Sequence, residues 1–267
     1  MTISFHVNRG KPGAAETAKE LADAAKGAGL SVVDVAANAD KPDVMVVLGG
    51  DGTMLAAAHE HPGIPLLGLN LGHLGYLAGV EAPHFKDAIR ALAAGRFSIS
   101  HRTALSTDRG HCALNDVVIS KGVSGRAAFV DLAVDGRHVT RFFADGLIVA
   151  TPTGSTAYSL AAGGPILLPG SESIVVTPIC PHALTSRPLV VHNTAKLTVS
   201  ARTREPDDCE DQPFSVFADG VNVASLAVGE GLSIAKAERP VPLVQLDGVD
   251  PYEVLGRKLG WGGSLVR

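Results

Sequence analysis

The chain has 267 residues, and a composition of 46% hydrophobic and 19% charged residues is typical of a folded globular protein and excludes general disorder. Its net charge of −4 and its aromatic content of 4% give no basic field and few stacking platforms, so we expect no nucleic-acid partner. Three widely spaced cysteines, no signal peptide and no apolar run near the roughly 20 residues of a membrane helix predict a cytoplasmic protein with no membrane partner.

The first third of the chain alternates short apolar runs with helical patterns. Strands are predicted at residues 3–7, 31–35, 44–48 and 64–69, and helices at 14–26, 54–59 and 83–94. The run 44–48 is continuously apolar, as in a strand that is buried on both faces. Alternating strands and helices predict an α/β domain with a parallel sheet, which we place at residues 1–97.

Short strands at regular spacing dominate the chain from residue 98 onward. They are predicted at residues 99–105, 114–120, 128–134, 138–143, 147–150, 174–177, 196–200, 214–218, 222–226 and 232–237. Asp135-Gly136 and Asp219-Gly220 each separate two of these runs, which is typical of β-hairpins. Short helices are predicted at 156–162 and 252–259. We therefore predict an all-β, sandwich-like domain over residues 98–249.

A glycine-rich segment, Gly49-Gly50-Asp51-Gly52-Thr53, follows the buried strand and precedes a helix. Glycines let backbone N–H groups approach a ligand closely, and a helix N-terminus favours an anion. Because Asp51 would repel a phosphate, its carboxylate suggests a base that takes a proton from a hydroxyl, or a partner for Mg²⁺. A tight turn with Thr53 as helix N-cap explains the same residues without a ligand, and the pattern alone leaves both interpretations open.

Two further polar segments follow or begin strands. The segment 70–77 follows the next strand, so Asn70, His73 and Tyr76 should open on the same sheet edge as Asp51. The pair Asn115-Asp116 begins an apolar strand and could bond a purine or a ribose. By pattern alone, an ordinary turn is the favoured interpretation at both places.

A hydroxyl-rich turn follows the strand at 147–150. Thr153, Ser155 and Thr156 present hydroxyl and N–H groups beside a helix N-terminus, and Tyr158 adds a flat face on which a heterocycle could pack. Ser155 could be a simple N-cap, but the density of hydrogen-bond donors favours a binding turn.

The histidines and serines give no support for two other chemistries. His59 and His61 bracket a helix end with no third ligand apparent, so the sequence predicts no metal site there. The Gly-x-Ser-x-Gly motif of serine hydrolases is missing from the sequence.

These segments, in this order, resemble the NAD kinase family. The most specific part is Asp145-Gly146 followed by Thr-Pro-Thr-Gly-Ser-Thr-Ala-Tyr-Ser-Leu at 151–160 and by Gly163-Gly164-Pro165. The ending 255–261 is also similar, so the resemblance covers nearly the whole chain. It implies an α/β N-terminal domain with a parallel sheet plus an all-β C-terminal domain, with residues 250–267 packing back on the first domain.

The resemblance implies transfer of a phosphoryl group from ATP to the adenosine 2′-hydroxyl of NAD, which gives NADP. Asp51 would accept the hydroxyl proton, and Mg²⁺ or another divalent cation would arrive with ATP. The residues that would hold NAD are Gly52, Asn115, Asp116, Arg126, Asp145, Thr156, Ala157, Tyr158, Ser159, Leu160 and Ala161. Asp116 stands where many relatives carry Glu, which shortens the side chain by one methylene. The family usually forms homodimers or homotetramers, and polyphosphate or NADH could replace ATP or NAD.

Two other functions stay open. A lipid or sugar kinase could share the glycine–aspartate segment, although the hydroxyl-rich turn argues against that class. A non-catalytic NAD-binding sensor could share the nucleotide site, although the intact Asp51 argues against it.

Overall fold

A computed structural model describes residues 1–34, 41–72, 75–121, 128–202, 213–248 and 250–261. Contacts divide the chain into two compact units, of which unit 1 comprises Met1–His101 and Val241–Arg267 and unit 2 comprises Arg102–Pro240. The sequence placed the boundaries at residues 97 and 249, whereas the strands Phe97–Arg102 and Val241–Leu246 both belong to the sheet of unit 1.

The elements follow one another in a simple order along the chain. The strands are β1 (Thr2–Val7), β2 (Ser31–Val32), β3 (Val44–Gly49), β4 (Leu66–Asn70), β5 (Val80–Glu81), β6 (Phe97–Arg102), β7 (Leu105–Thr107), β8 (Cys112–Ala113), β9 (Asp116–Ser120), β10 (Ala128–Val134), β11 (Arg137–Ala144), β12 (Gly146–Ala150), β13 (Ser173–Ile179), β14 (Leu189–His192), β15 (Leu197–Arg202), β16 (Phe214–Ala218), β17 (Val221–Leu226), β18 (Gly231–Lys236) and β19 (Val241–Leu246). The helices are α1 (Ala14–Gly27), α2 (Asp51–Glu60), α3 (Phe85–Ala93), α4 (Tyr158–Ala161) and α5 (Pro251–Leu259).

Unit 1 is built on a sheet of order β2-β1-β3-β4-β19-β6, with β5 paired to β4. Strands β1 to β5 and β19 pair in parallel. Leu21 of α1 and Ile89 of α3 pack with Leu48 on one face, and Met54 of α2 packs with Val47 on the other. Every residue of β3 is buried, which confirms the interpretation of its apolar run as a strand covered on both faces.

The carboxyl ends of β3 and β4 are neighbours, because Gly49 pairs with Asn70. The segments that follow the two strands therefore leave the same sheet edge, as the sequence predicted.

Helix α2 begins at Asp51, three residues earlier than predicted. Its N-cap is Gly50, and Thr53 lies three residues further on, where its hydroxyl accepts the Gly50 N–H at 3.4 Å. The interpretation of Thr53 as the N-cap is therefore wrong.

Unit 2 contains two six-stranded antiparallel sheets, of order β11-β10-β15-β18-β7-β8 and β14-β13-β12-β9-β16-β17. Their inner faces share one hydrophobic core, in which Val130 and Val199 of the first sheet lie with Val117 and Leu147 of the second. This confirms the predicted fold class, a parallel α/β unit with an all-β unit.

Both predicted hairpins are present in unit 2. Asp135 and Asp219 have φ angles of 50° and 49°, and the glycines that follow them have φ angles of 75° and 80°. Two successive positive φ angles are typical of the type I′ turn, and they explain why Asp-Gly joins β10 to β11 and β16 to β17. No helix among the residues that the structure describes is long and apolar enough to cross a membrane.

Candidate functional site

Asp51 is held by the backbone of a neighbouring loop. It is the first residue of α2, where the helix dipole favours a negative charge. Its carboxylate accepts N–H bonds from Tyr76 at 2.8 Å, Leu77 at 3.0 Å and Ala78 at 3.1 Å. These donors belong to the segment after β4, which the sheet register brings beside α2. The half-buried carboxylate is therefore fixed in position by residues some 25 positions away in sequence.

The glycines around Asp51 have different local roles. A Cβ on Gly75 would overlap the Asp51 carboxylate, so only glycine allows this loop to close on the side chain. A Cβ on Gly49 would overlap the Thr53 side chain for the same reason. Gly52, a predicted ligand contact, is exposed, and its Cβ position faces open space. Gly52 thus offers the open backbone that the sequence interpretation assigned to the whole segment, whereas Gly49 does not.

Lys11 is a candidate residue that sequence reasoning missed. Its ammonium nitrogen lies 3.2 Å from where a Cβ would stand on Gly72 and 3.9 Å from that position on Gly50. The ammonium group therefore lies against both segments at the Asp51 edge. The order of the strands could have indicated this position. Lys11 follows β1, and β1 pairs in parallel with β3, so the segments after both strands leave the same edge of the sheet.

In unit 2, Asp219 organises the start of β9. Its carboxylate accepts N–H bonds from Leu114 at 2.8 Å, Asn115 at 2.7 Å and Asp116 at 3.3 Å. Asp116 is 5% exposed, and burial, followed by the negative charge of Asp219, raises its pKa to about 7. The sequence identified Asp219 only as a turn residue, because its partners lie about a hundred positions earlier in the chain.

The hydroxyl-rich turn is fastened to the same segment. The Thr151 hydroxyl donates to the Leu114 carbonyl at 2.6 Å, and the Thr151 N–H donates to the Asn115 carbonyl at 2.9 Å. A Cβ on Gly154 would overlap that Asn115 carbonyl oxygen, so the turn approaches β9 as closely as glycine permits. The structure thus brings the third and fourth polar segments of the sequence together.

Several hydroxyls of this turn are used internally. Ser155 is fully buried, donates to the Pro152 carbonyl at 2.7 Å and accepts the Leu167 N–H at 2.9 Å. The prediction that its hydroxyl faces a ligand is therefore wrong, because the loop that follows closes over it. The Thr156 hydroxyl donates to the Thr153 carbonyl at 3.1 Å.

Ser159 is also fully buried, and its hydroxyl lies 2.8 Å from that of the equally buried Thr177. This bond joins α4 to β13. The remaining predicted residues of α4 and its border are accessible, with Ala157 and Leu160 half-buried and Ala161 exposed. Ser159 therefore holds α4 in place, while its neighbours present the surface.

Tyr158 lies near two carboxylates of unit 2, those of Asp116 and Asp145. The Tyr158 side chain is 46% exposed. Its pKa is raised first by burial and then by the nearby Cys180, Asp145 and Asp116. Asp145 is exposed at the entry to β12. The two remaining predictions, His73 and Arg126, lie outside the described residues.

Comparison with known proteins assigns the family. Residues 32–97 match the ATP-NAD kinase N-terminal domain, and residues 114–246 match the ATP-NAD kinase C-terminal domain. An NAD kinase of Syntrophotalea carbinolica is 42% identical over 230 residues, which are 82% of this chain and 79% of that protein. The chain belongs to the NAD kinase family. Another NAD kinase, from Gemmatimonas aurantiaca, is 44% identical over 83% of this chain and 78% of its own length.

Solved structures extend the family likeness to the fold. A crystal structure of an NAD kinase from Archaeoglobus fulgidus in complex with ATP has a TM-score of 0.77 and 25% identity, and the match covers 98% of this chain and 99% of that one. Yeast NADH kinase complexed with NADH has a TM-score of 0.85 at 23% identity, and the match covers 99% and 88% of the two chains. The expected resemblance to the NAD kinase family is confirmed.

Proposed function

We propose that this member of the NAD kinase family transfers a phosphoryl group from ATP to the adenosine 2′-hydroxyl of NAD, with Asp51 as the general base. Family membership supports the overall reaction and its two substrates. The three backbone bonds that fix the Asp51 carboxylate are the observation that supports its role.

Asp51 has the acceptor geometry that a base requires. An ionised carboxylate offers about four acceptor sites, and the loop N–H groups occupy two on Oδ1 and one on Oδ2. Among the described residues these three donors leave one site on Oδ2, which we assign to the substrate hydroxyl. A sugar hydroxyl is a weak nucleophile, and a positioned base typically contributes about 10²–10⁴-fold to the rate.

Residues of unit 2 hold the dinucleotide in this proposal. Asn115 and Asp116 bind the adenosine part, and the exposed ring of Tyr158 packs on a heterocycle. With a pKa of about 7, Asp116 can donate or accept a hydrogen bond near neutral pH. Asp145 bonds the dinucleotide toward its nicotinamide side.

The donor side of the reaction requires positive charge. The Lys11 ammonium group, beside the segments that contain Gly50 and Gly72, fits a role in binding the phosphates of ATP. Within the described ranges, no group of three His, Cys, Asp or Glu side chains that could hold a metal includes Asp51. We propose that Mg²⁺ arrives on the nucleotide, since Mg²⁺ is commonly held by one or two carboxylates and substrate phosphates. When bound, the ion would neutralise phosphate charge.

Separate measurements of turnover and binding test the role of Asp51. In Asp51→Asn we expect kcat to fall by about 10²-fold or more, while calorimetry shows an NAD Kd within a few-fold of the original. The matched control is Asp23→Asn, which neutralises an exposed carboxylate on α1 and should leave both values unchanged. Retained turnover in Asp51→Asn would remove this residue from the base role.

The acceptor is tested by product analysis. We expect NADP when the protein is given NAD, sphingosine and fructose 6-phosphate together with ATP. Phosphorylation of only the lipid or the sugar would refute NAD as the substrate, and tight NAD binding without turnover would support a sensor. Crossing NAD or NADH with ATP or polyphosphate then defines both substrates.

The assembly and its location are also part of the proposal. We propose a cytoplasmic homodimer or homotetramer, on the basis of the habit implied by the family resemblance. Sedimentation equilibrium measures the subunit number, and a monomer at micromolar concentration would contradict this expectation.

A further inference from the structure

Three metal-ligating side chains converge where α2 ends beside β1. His6 Nδ1 lies 3.3 Å from His61 Nε2 and 3.7 Å from Glu60 Oε2. One ligand atom from each of these residues lies within 4.8 Å of the others. Asp51 begins α2 and Glu60 ends it, nine residues later. Since an α-helix rises about 1.5 Å per residue, the cluster lies at the opposite end of the helix from Asp51.

The topology of unit 1 supplies the ligand that the sequence lacked. No metal site was predicted at His61 because a third ligand was not apparent, and that reasoning fails because His6 comes from a different element. Phe5 and Val7 pack in the core between the sheet and helices α1 and α3. Since side chains alternate along a strand, His6 points to the opposite face, which α2 covers. Glu60 ends that helix, and His61 is its C-cap.

The distances fit a small tetrahedral ion. Zn–N bonds of about 2.05 Å at the tetrahedral angle place two ligand atoms about 3.3 Å apart. This agrees with the 3.3 Å between the two ring nitrogens. The Glu60 side chain is 62% exposed, so it can adjust its 3.7 Å separation while leaving an entry path for an ion. Two His and one Glu, with a fourth position open to water, are a recognised donor set for Zn²⁺.

We propose that His6, Glu60 and His61 form a binding site for a Zn²⁺-like divalent transition-metal ion. The ion ties β1 to the C-terminal end of α2 and is separate from the nucleotide chemistry at Asp51. The two imidazoles must be unprotonated to bind it.

A hydrogen bond between the two rings is the alternative explanation of the same contact. That bond requires no ion, and Glu60 would then serve only as an ion-pair partner of a protonated His6. A metal site differs in that all three side chains must contribute to the affinity for the ion. Measurement of ion binding therefore separates the two explanations.

The test titrates the full chain with Zn²⁺ by calorimetry in excess Mg²⁺. Mg²⁺ prefers oxygen ligands in octahedral geometry and should not compete. The titrated protein carries the substitutions Cys112→Ser, Cys180→Ser and Cys209→Ser, so that its own three thiols cannot bind zinc. We expect one Zn²⁺ per chain, a Co²⁺ complex with the visible absorption of a tetrahedral site, and a higher thermal midpoint with Zn²⁺.

Variants assign the site to its residues. His61→Gln and His6→Gln should each weaken Zn²⁺ binding at least tenfold, and Glu60→Gln, at an exposed position, should weaken it severalfold. The control His59→Gln changes the neighbouring histidine outside the cluster and should bind as the parent does. If His6→Gln does not fold, Glu60→Gln and the Co²⁺ spectrum decide. The proposal is overturned if the parent binds no stoichiometric Zn²⁺, or if Glu60→Gln and His61→Gln bind like His59→Gln.

Discussion

Neutralising Asp116 should stabilise the protein at high pH. The pKa of its buried carboxyl is raised from 3.8 to about 7, first by burial and then by the charge of Asp219. A shift of about three pKa units corresponds to roughly 4 kcal/mol of lost stability once the unfolded state is fully ionised. Asp116→Asn removes the ionisable group and preserves the shape of the side chain. We therefore expect a gain of up to roughly 4 kcal/mol in the free energy of unfolding at pH 8.

The sign of the pH dependence makes this prediction testable. Below about pH 4 both the folded and the unfolded chain hold the proton, so Asp116 contributes no penalty. Between about pH 4 and 7 the unfolded chain releases it first, and stability falls until the folded carboxyl also ionises. Urea unfolding at pH 4, 6 and 8 should show the variant and parent diverging in that window. The control is Asp108→Asn, at an exposed position in unit 2. A difference that does not change with pH would refute the reasoning.

Two further predictions separate the roles of the two bonded carboxylates. Gly75→Ala should reduce kcat at least tenfold, because the new Cβ would displace the Asp51 carboxylate. The control is Gly79→Ala, whose Cβ would meet open space and should leave NADP formation unchanged. Equal activities of the two variants would contradict the loop geometry. Asp219→Ala should lower the free energy of unfolding by roughly 3 kcal/mol, since it leaves the Asn115 N–H and two neighbouring donors without their acceptor, and should weaken NAD binding in calorimetry. A fully stable variant with unchanged NAD affinity would show that the donors find other partners.

The fold was predictable wherever one local pattern decides the structure. The apolar run of β3 and the Asp-Gly turns of unit 2 carried strong local signals, and both interpretations are confirmed. The single strand predicted at 99–105 is instead β6 and β7, which belong to sheets in different units. The strand β19 was missed altogether. It joins the sheet beside β4, nearly 180 residues earlier in the chain, and no local pattern encodes such a pairing.

The candidate site shows the same limit at the level of side chains. Sequence reasoning selected Asp51 and Tyr158 because their residue types suit catalysis and stacking. It could not show that the Ser155 hydroxyl is fully buried and bonded to Pro152 and Leu167. Nor could it show that the Thr156 hydroxyl, on a half-buried residue, donates to the Thr153 carbonyl. A hydroxyl-rich turn must satisfy its own backbone before it can serve a ligand, and the sequence does not show which hydroxyls are left over.

Asp51 and Asp219 show why the missing information is long-range. Each precedes a glycine, which in sequence indicates a turn, and each carboxylate accepts three consecutive backbone N–H groups in the structure. The donors are 25 to 27 positions away for Asp51 and 103 to 105 for Asp219. At Asp219 the bonds hold the backbone around Asn115, and at Asp51 they hold the carboxylate itself. If Asp219→Ala loses stability and Asp51→Asn loses turnover, the same arrangement of a carboxylate and three backbone N–H groups has a structural role at one position and a catalytic role at the other.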